Sequence, residues 1–152
     1  MRTVVWRGLD EPRMELARVE ISGSELGATG TQIGVAYELR YELERESLRL
    51  EVVGDRRLEV ALGGLDFFDL GNSPLFNSLP VLRDGLLEAG DAHEYLMRWV
   101  SVPDLAVHEQ RQRYEPIGAG VVRFRTGSFT ADIEFDADGV VGRYEGLAER
   151  LA

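Results

Sequence analysis

The sequence predicts a mainly β domain in which one antiparallel sheet carries a single short helix on its concave face. Three observations point there. Apolar residues recur at every second position along much of the chain. Two turn dipeptides, Gly127-Ser128 and Asp138-Gly139, set hairpin registers that agree with each other. One apolar stretch near residue 75 has helical spacing instead. At 152 residues, with 44% hydrophobic and 29% charged, the length suits one domain spanning 1–152.

The elements follow in chain order. Met14 and Leu16 share one parity, whereas Val19 and Ile21 share the other, which predicts a bulge near Ala17-Arg18. Ser22 to Gly30, rich in Gly and Ser, reads as a turn or short mobile loop. From Ile33 to Leu43 the odd positions are Ile, Val, Tyr, Leu, Tyr and Leu, and the even ones are mostly charged. A stripe at spacing two would spiral around a helix, so this is a strand. Leu48, Leu50 and Val52 alternate with Arg49 and Glu51, then Leu58, Val60 and Leu62 with Arg57 and Glu59, with turn chemistry at Gly54-Asp55.

Gly71 to Gly85 breaks the strand pattern. Ser73 suits an N-cap, Pro74 the first helical position and Gly85 the C-terminal stop. Leu75, Leu79, Leu82 and Leu86 fall at helical spacing beside Phe76, and Pro80 should kink or split the helix. Near the C-terminus, a turn at Gly127-Ser128 places Phe124 opposite Ala131, Val122 opposite Ile133 and Arg123 opposite Asp132. The turn at Asp138-Gly139 pairs Glu134 with Arg143 and Ile133 with Tyr144. Both registers join apolar to apolar and acid to base, which predicts a C-terminal meander.

Composition removes several chemistries. All 17 basic residues are arginine, so Schiff-base chemistry and a phosphate-loop lysine are excluded; with no cysteine, so are thiolate catalysis and Cys-ligated metals. A formal charge of −10 argues against nucleic-acid partners. No signal peptide and no run near the ~20 apolar residues of a membrane span is visible, which leads to an expected cytoplasmic location without an integral membrane segment.

Candidate chemical groups are few. His93 and His108 lack a nucleophile signature and read as exposed strand residues. Asp136-Ala137-Asp138-Gly139 resembles the start of a calcium loop, but the rest of that pattern is absent and a hairpin accounts for it. Asp66 and Asp69 bracket Phe67-Phe68, either as an acid–base pair or as caps of strand and helix. Arg111, Arg113, Arg123 and Arg125 form a basic block, either an anion-holding patch or partners for Glu109, Glu115, Asp132 and Glu134.

One further signal is the order of motifs. Trp6 is followed by Leu65-Asp66-Phe67-Phe68-Asp69-Leu70 running into SPLFNSLPVLR. Val102-Pro103-Asp104-Leu105-Ala106-Val107, Gln112-Arg113-Tyr114 and Phe135-Asp136-Ala137-Asp138-Gly139-Val140-Val141 come next. Nearly the whole chain thereby resembles the bacterial putative glycolipid-binding family. That resemblance implies a spiral β-roll, a long curved antiparallel sheet wrapped around one central helix. Relative to the usual Thr-Pro-Phe-Thr-Asn-Thr-Leu-Pro pattern, this chain has Ser73, Leu75, Phe76 and Ser78. It keeps Arg83 alone of two following arginines, and Tyr144-Glu145 stands for a usual Tyr-Pro.

The expected function is non-catalytic binding of a lipid or glycolipid between sheet and helix. Phe67, Phe68, Phe76 and Trp99 would meet its apolar part, and Asp69, Asn77, Arg83 and Tyr114 its polar part. No cofactor, metal site or catalytic residue is expected. Two alternatives remain: a filled core in a protein that self-associates as a homodimer, and a hydrolase in which Asp66, Asp69 or a histidine converge in a cleft.

Overall fold

Alternating burial organises the strands: in Arg13–Val19 every odd residue is buried and every even one exposed. The computed structural model describes residues 2–19, 25–32, 34–42, 46–52 and 56–151. Its strands are β1 (Arg2–Gly8), β2 (Arg13–Val19), β3 (Glu25–Gln32), β4 (Val35–Glu42), β5 (Ser47–Val52), β6 (Arg56–Ala61) and β7 (Phe67–Leu70). A 3₁₀ turn (Leu75–Asn77) and helix α1 (Ser78–Asp84) follow. Then come β8 (His93–Val100), β9 (Val107–Gly118), β10 (Val121–Thr126), β11 (Phe129–Phe135), β12 (Val141–Tyr144) and β13 (Ala148–Arg150).

All 13 strands belong to one sheet, ordered β6-β5-β4-β3-β2-β1-β13-β12-β11-β10-β9-β8-β7. Two meanders are thus joined where β1 pairs with β13. The sheet's two ends, β6 and β7, are consecutive in the chain. Laid flat, the twelve interstrand spacings would separate them by about 58 Å. The short link from Ala61 to Phe67 reaches about 21 Å at full extension. The sheet therefore has to roll up, and contacts across the roll show it. The Tyr41 ring of β4 meets Phe68 of β7 edge-on at 5.5 Å. Arg98 Nη2 of β8 donates to the carbonyl of Leu62, just after β6, at 3.1 Å. Inside the roll, Trp6 is 1% exposed, and its indole N–H donates to the Val141 carbonyl at 2.8 Å.

The two C-terminal registers are those the turns predict: Phe124 faces Ala131, Val122 faces Ile133 and Arg123 faces Asp132. Glu134 faces Arg143 and Ile133 faces Tyr144, with a bulge between Glu134 and Phe135. Four expectations are corrected. First, β2 runs through Ala17-Arg18 without a bulge. Met14 and Leu16 point out to solvent, and the inner face holds Arg13, Glu15, Ala17 and Val19. The apolar pattern misled because the interior here holds two charged side chains. Second, the Gly-rich stretch is not all loop: β3 begins at Glu25. Gly30 faces both Glu15 and Tyr37, and a Cβ there would lie 2.6 Å from the Tyr37 hydroxyl. The missing side chain is what lets that ring cross the strand. Third, one pair in the sheet is parallel, β7 with β8, because the helical segment carries the chain back to start β8 in the direction of β7.

The helical segment brings the fourth correction. It divides into the 3₁₀ turn and α1 ahead of Pro80, and Gly85 closes it at φ 66°, a left-handed stop. Pro80 occupies the first turn of α1, where its missing N–H leaves little unsatisfied. Ser73 makes no cap; its hydroxyl donates to Glu15 instead. Leu82 is 37% exposed while Pro80 and Val81 are buried. The 3₁₀ start advances about 120° per residue against 100° in an α-helix, which turns Leu82 outward while Leu75 and Leu86 stay buried and Leu79 packs half-buried against the core. Ile21, Ser22 to Ser24, Ile33, Leu43 and the Gly54-Asp55 turn lie outside the described residues.

Candidate functional site

β7 is the element around which the site is built. It ends the hydrogen-bonded order, yet all four of its residues are buried. Neighbouring residues of a strand point to opposite faces, so Phe67 and Asp69 look one way and Phe68 and Leu70 the other. Phe68 packs on Tyr41, and Phe76 of the 3₁₀ turn meets the same ring at 5.7 Å. Phe67 instead meets Tyr95 of β8 at 5.6 Å. These three aromatic residues therefore serve two separate contacts.

Asp69, Asn77 and Tyr114 are the expected residues that the fold gathers. The Asn77 amide donates to the Tyr114 hydroxyl at 2.9 Å, tying the 3₁₀ turn to β9. Asp69 is 8% exposed and accepts from Gln112 Nε2 at 2.6 Å. Burial pushes its carboxyl up to about 7, opposed by the Gln112 amide and the Leu70 N–H. Burial also raises the hydroxyls of Tyr114 and Tyr144, and the Asp69 charge adds to both. From this polar cluster a row of rings runs outward: Tyr114 to Phe124 at 5.5 Å, then Phe124 to Phe129 at 6.1 Å. Phe129 is 45% exposed, so the row reaches solvent.

Trp99 and Arg83 stand at the margins. Trp99 is the cross-strand neighbour of Asp69; it lies 5.8 Å from the His108 ring and covers Gly71, where a Cβ would fall 2.6 Å from the indole. Arg83 is exposed, with its guanidinium 4.3 Å above the Phe67 ring and paired to Asp84 at 3.2 Å. Tyr95 donates to the same carboxylate at 2.6 Å.

A second polar cluster, missed from the sequence, fastens the helical segment. Tyr37 and Ser73 both donate to Glu15, Ser73 at 2.7 Å. Gln32 accepts from Arg13 Nε at 3.4 Å and donates to the Gly71 carbonyl at 3.0 Å. Burial raises the Glu15 carboxyl against the pull of Tyr37, Ser73 and the Arg13 charge. The signal for it was the row Glu15–Gly30–Tyr37, a glycine between two large polar side chains.

The remaining candidates scatter. Asp66 is exposed and accepts from the Leu96 N–H at 2.7 Å, away from the inward-facing Asp69. His93 stacks on Tyr95 at 6.1 Å, and His108 sits beside Trp99. Arg123 pairs with Asp132 and Arg113 with Glu115, both at 3.0 Å, and Arg111 pairs with Glu94 at 3.6 Å. A cleft of about 540 Å³ between Leu87–Ala89, Gly118–Gly120 and Phe135–Ala137 contains none of the expected site residues. Among the described residues, no group of three or more acidic or histidine side chains is placed to hold a metal ion. None of their helices is long and apolar enough to cross a membrane.

This architecture is found in a solved structure. The crystal structure of a DUF1089 family protein from Pseudomonas aeruginosa superposes with a TM-score of 0.74 at 24% identity, covering 96% of this chain and 95% of that one. The likeness shows a shared fold. No curated protein matches the chain. A family model described as "Putative glycolipid-binding" matches residues 52–150, from the end of β5 through β13. That span includes β7, the helical segment and the whole polar cluster around Asp69, and the chain belongs to the family so described.

Proposed function

We propose that the protein binds a single amphiphilic molecule, a lipid or glycolipid, non-catalytically in the region where β7 and the helical segment face β8–β10. The observation that carries this reading is the cluster of Asp69, Asn77, Gln112 and Tyr114 inside the roll. A small domain ordinarily fills its interior with apolar side chains, because buried polar groups cost stability unless fully paired. Here polar side chains from three parts of the chain meet next to a row of aromatic rings that ends at exposed Phe129. Aromatic walls with a few fixed polar groups are the usual composition of a small-molecule site. The family's description supports the same class of ligand. In this arrangement Phe67 and Trp99 border the apolar part, with Phe68 and Phe76 packed behind on Tyr41, and Arg83 stands at the rim.

Mass spectrometry of an organic extract of the purified protein tests the reading. A lipid-like species is expected at near-stoichiometric amount, reduced by the substitution Phe124→Ala. An extract free of such species, together with no uptake of added lipid, would count decisively against it.

A second reading, self-association as a homodimer, is favoured by a different observation. On the convex face Met14, Leu16 and Leu151 are 45%, 38% and 54% exposed, and Leu16 faces Val5, whose carbonyl accepts from Leu151. Light scattering at rising concentration separates the readings: a dimer that Leu16→Glu dissociates supports this second one.

A further inference from the structure

The Asp69–Gln112 pair has more hydrogen-bond acceptors than donors to fill them. The Gln112 amide nitrogen has two protons, and both are committed, one to Asp69 at 2.6 Å and one to Gln110 Oε1 at 2.7 Å. Gln112 Oε1, on a residue only 1% exposed, has no partner at all. Asp69 draws on this one side-chain donor and the Leu70 N–H, and no cation is among the groups acting on it. A native interior seldom leaves such an atom bare.

The deficit has a definite chemical sense. At the Asp69–Gln112 pair the unsatisfied capacity is an acceptor's, since a carboxylate and an amide carbonyl have lone pairs and no proton to give. An incoming group that is itself only an acceptor, such as a carboxylate or a fully ionised phosphate, would add a third set of lone pairs. It would also bring a second negative charge beside Asp69 in a region of low dielectric. A donor does the opposite, satisfying Gln112 Oε1 and the free capacity of Asp69 together. The row Asp69, Trp99 and His108 on three adjacent strands passes from buried through half-buried to exposed. Arg83, the cation expected at the polar end of the ligand, is already held by Asp84 outside this cluster.

We infer that Asp69 and Gln112 form the specificity element of the site, accepting a hydrogen-bond-donating, non-anionic group of the amphiphile, a hydroxyl or an ammonium, and rejecting anionic headgroups. The inference rests on the proposed amphiphile binding and adds which headgroup chemistry is admitted.

Four probes with the same eight-carbon chain separate the possibilities: octyl glucoside, octylamine, octanoate and octyl phosphate. Each is titrated below its micelle concentration at pH 8, with tryptophan fluorescence and thermal shift as readouts. The glucoside or the amine should bind about tenfold or more tightly than either anion, the contrast expected when one buried acceptor gains or lacks its partner. Preference for the glucoside identifies a hydroxyl, and preference for the amine an ammonium. Asp69→Asn, which supplies an amide N–H of its own, should shrink the contrast to about twofold while binding persists. Gln112→Met should weaken the preferred probe alone. Equal binding of all four probes, or unchanged selectivity in Asp69→Asn, overturns the inference and leaves amphiphile binding standing. Failure of every probe to bind overturns both.

Discussion

Glu15 on β2 and Asp69 on β7 are both buried carboxylates whose protonation burial favours, and the chain surrounds them differently. Glu15 receives two side-chain hydroxyls, from Tyr37 and Ser73, and has the Arg13 charge near by. Asp69 receives one shared side-chain amide and the Leu70 N–H, and the carbonyl of that amide is left bare. The first arrangement is a clasp: it joins the N-terminal meander to the start of the helical segment and has little capacity left over. The second is an incomplete set. Equal burial with unequal satisfaction separates a polar group that holds the fold from one that has capacity for a ligand.

The contrast breaks most easily at Glu15. Glu15→Ala leaves the Tyr37 and Ser73 hydroxyls buried without their acceptor and removes the negative charge near Arg13, and should lower unfolding free energy by about 3–5 kcal/mol. Urea unfolding measures this; a loss under about 1 kcal/mol would remove the clasp from the comparison.

Asp69→Asn should act in the opposite direction. The unfolded carboxyl titrates near 3.8 and the folded one near 7. Below 3.8 both states hold the proton and the group is neutral in its effect. As pH rises through this window the unfolded chain ionises first, so native stability falls and the full cost is present above pH 7. Asparagine cannot ionise, so the variant should be more stable than the parent by about 2–4 kcal/mol at pH 8, with the gain vanishing near pH 4. Chemical denaturation at both pH values reads the difference, and a gain independent of pH would show that Asp69 does not carry it.

The smallest effect sharpens the comparison. Ser73→Ala removes one of two hydroxyls from Glu15 and should cost about 1 kcal/mol, with the fluorescence of Trp99 near Gly71 reporting whether the segment shifts. A much larger loss would mean that Ser73 alone holds the helical segment in place.

Legibility in the sequence divides along similar lines. The hairpins at Gly127-Ser128 and Asp138-Gly139 were readable to the residue, because a two-residue turn fixes register over a few positions. Asp69, Asn77 and Tyr114 were named from a kinked apolar helix over an aromatic sheet together with the family resemblance, and the structure brings them together. Gln112 carried no signal of a role at Asp69, since its importance arises from a meeting 43 positions away. Arg13 and Glu15 went unrecognised because alternation says which residues share a face and is silent on which face is inside. Met14 and Leu16 were the better hydrophobic choice, and they lie outside.

By itself, then, the sequence determined the local matters: strand against helix, turn positions, the pairing of neighbours, and the helical stop at Gly85. These depend on backbone preferences and side-chain parity within a few residues. The tertiary structure alone decided that β1 closes on β13, that β7 pairs parallel with β8, and that β7 is enclosed on both faces. Those outcomes depend on contacts such as Trp6 with Val141, 135 positions apart. Only after such contacts form does an inside exist, and only then is a carboxylate buried, a partner counted or a missing one noticed.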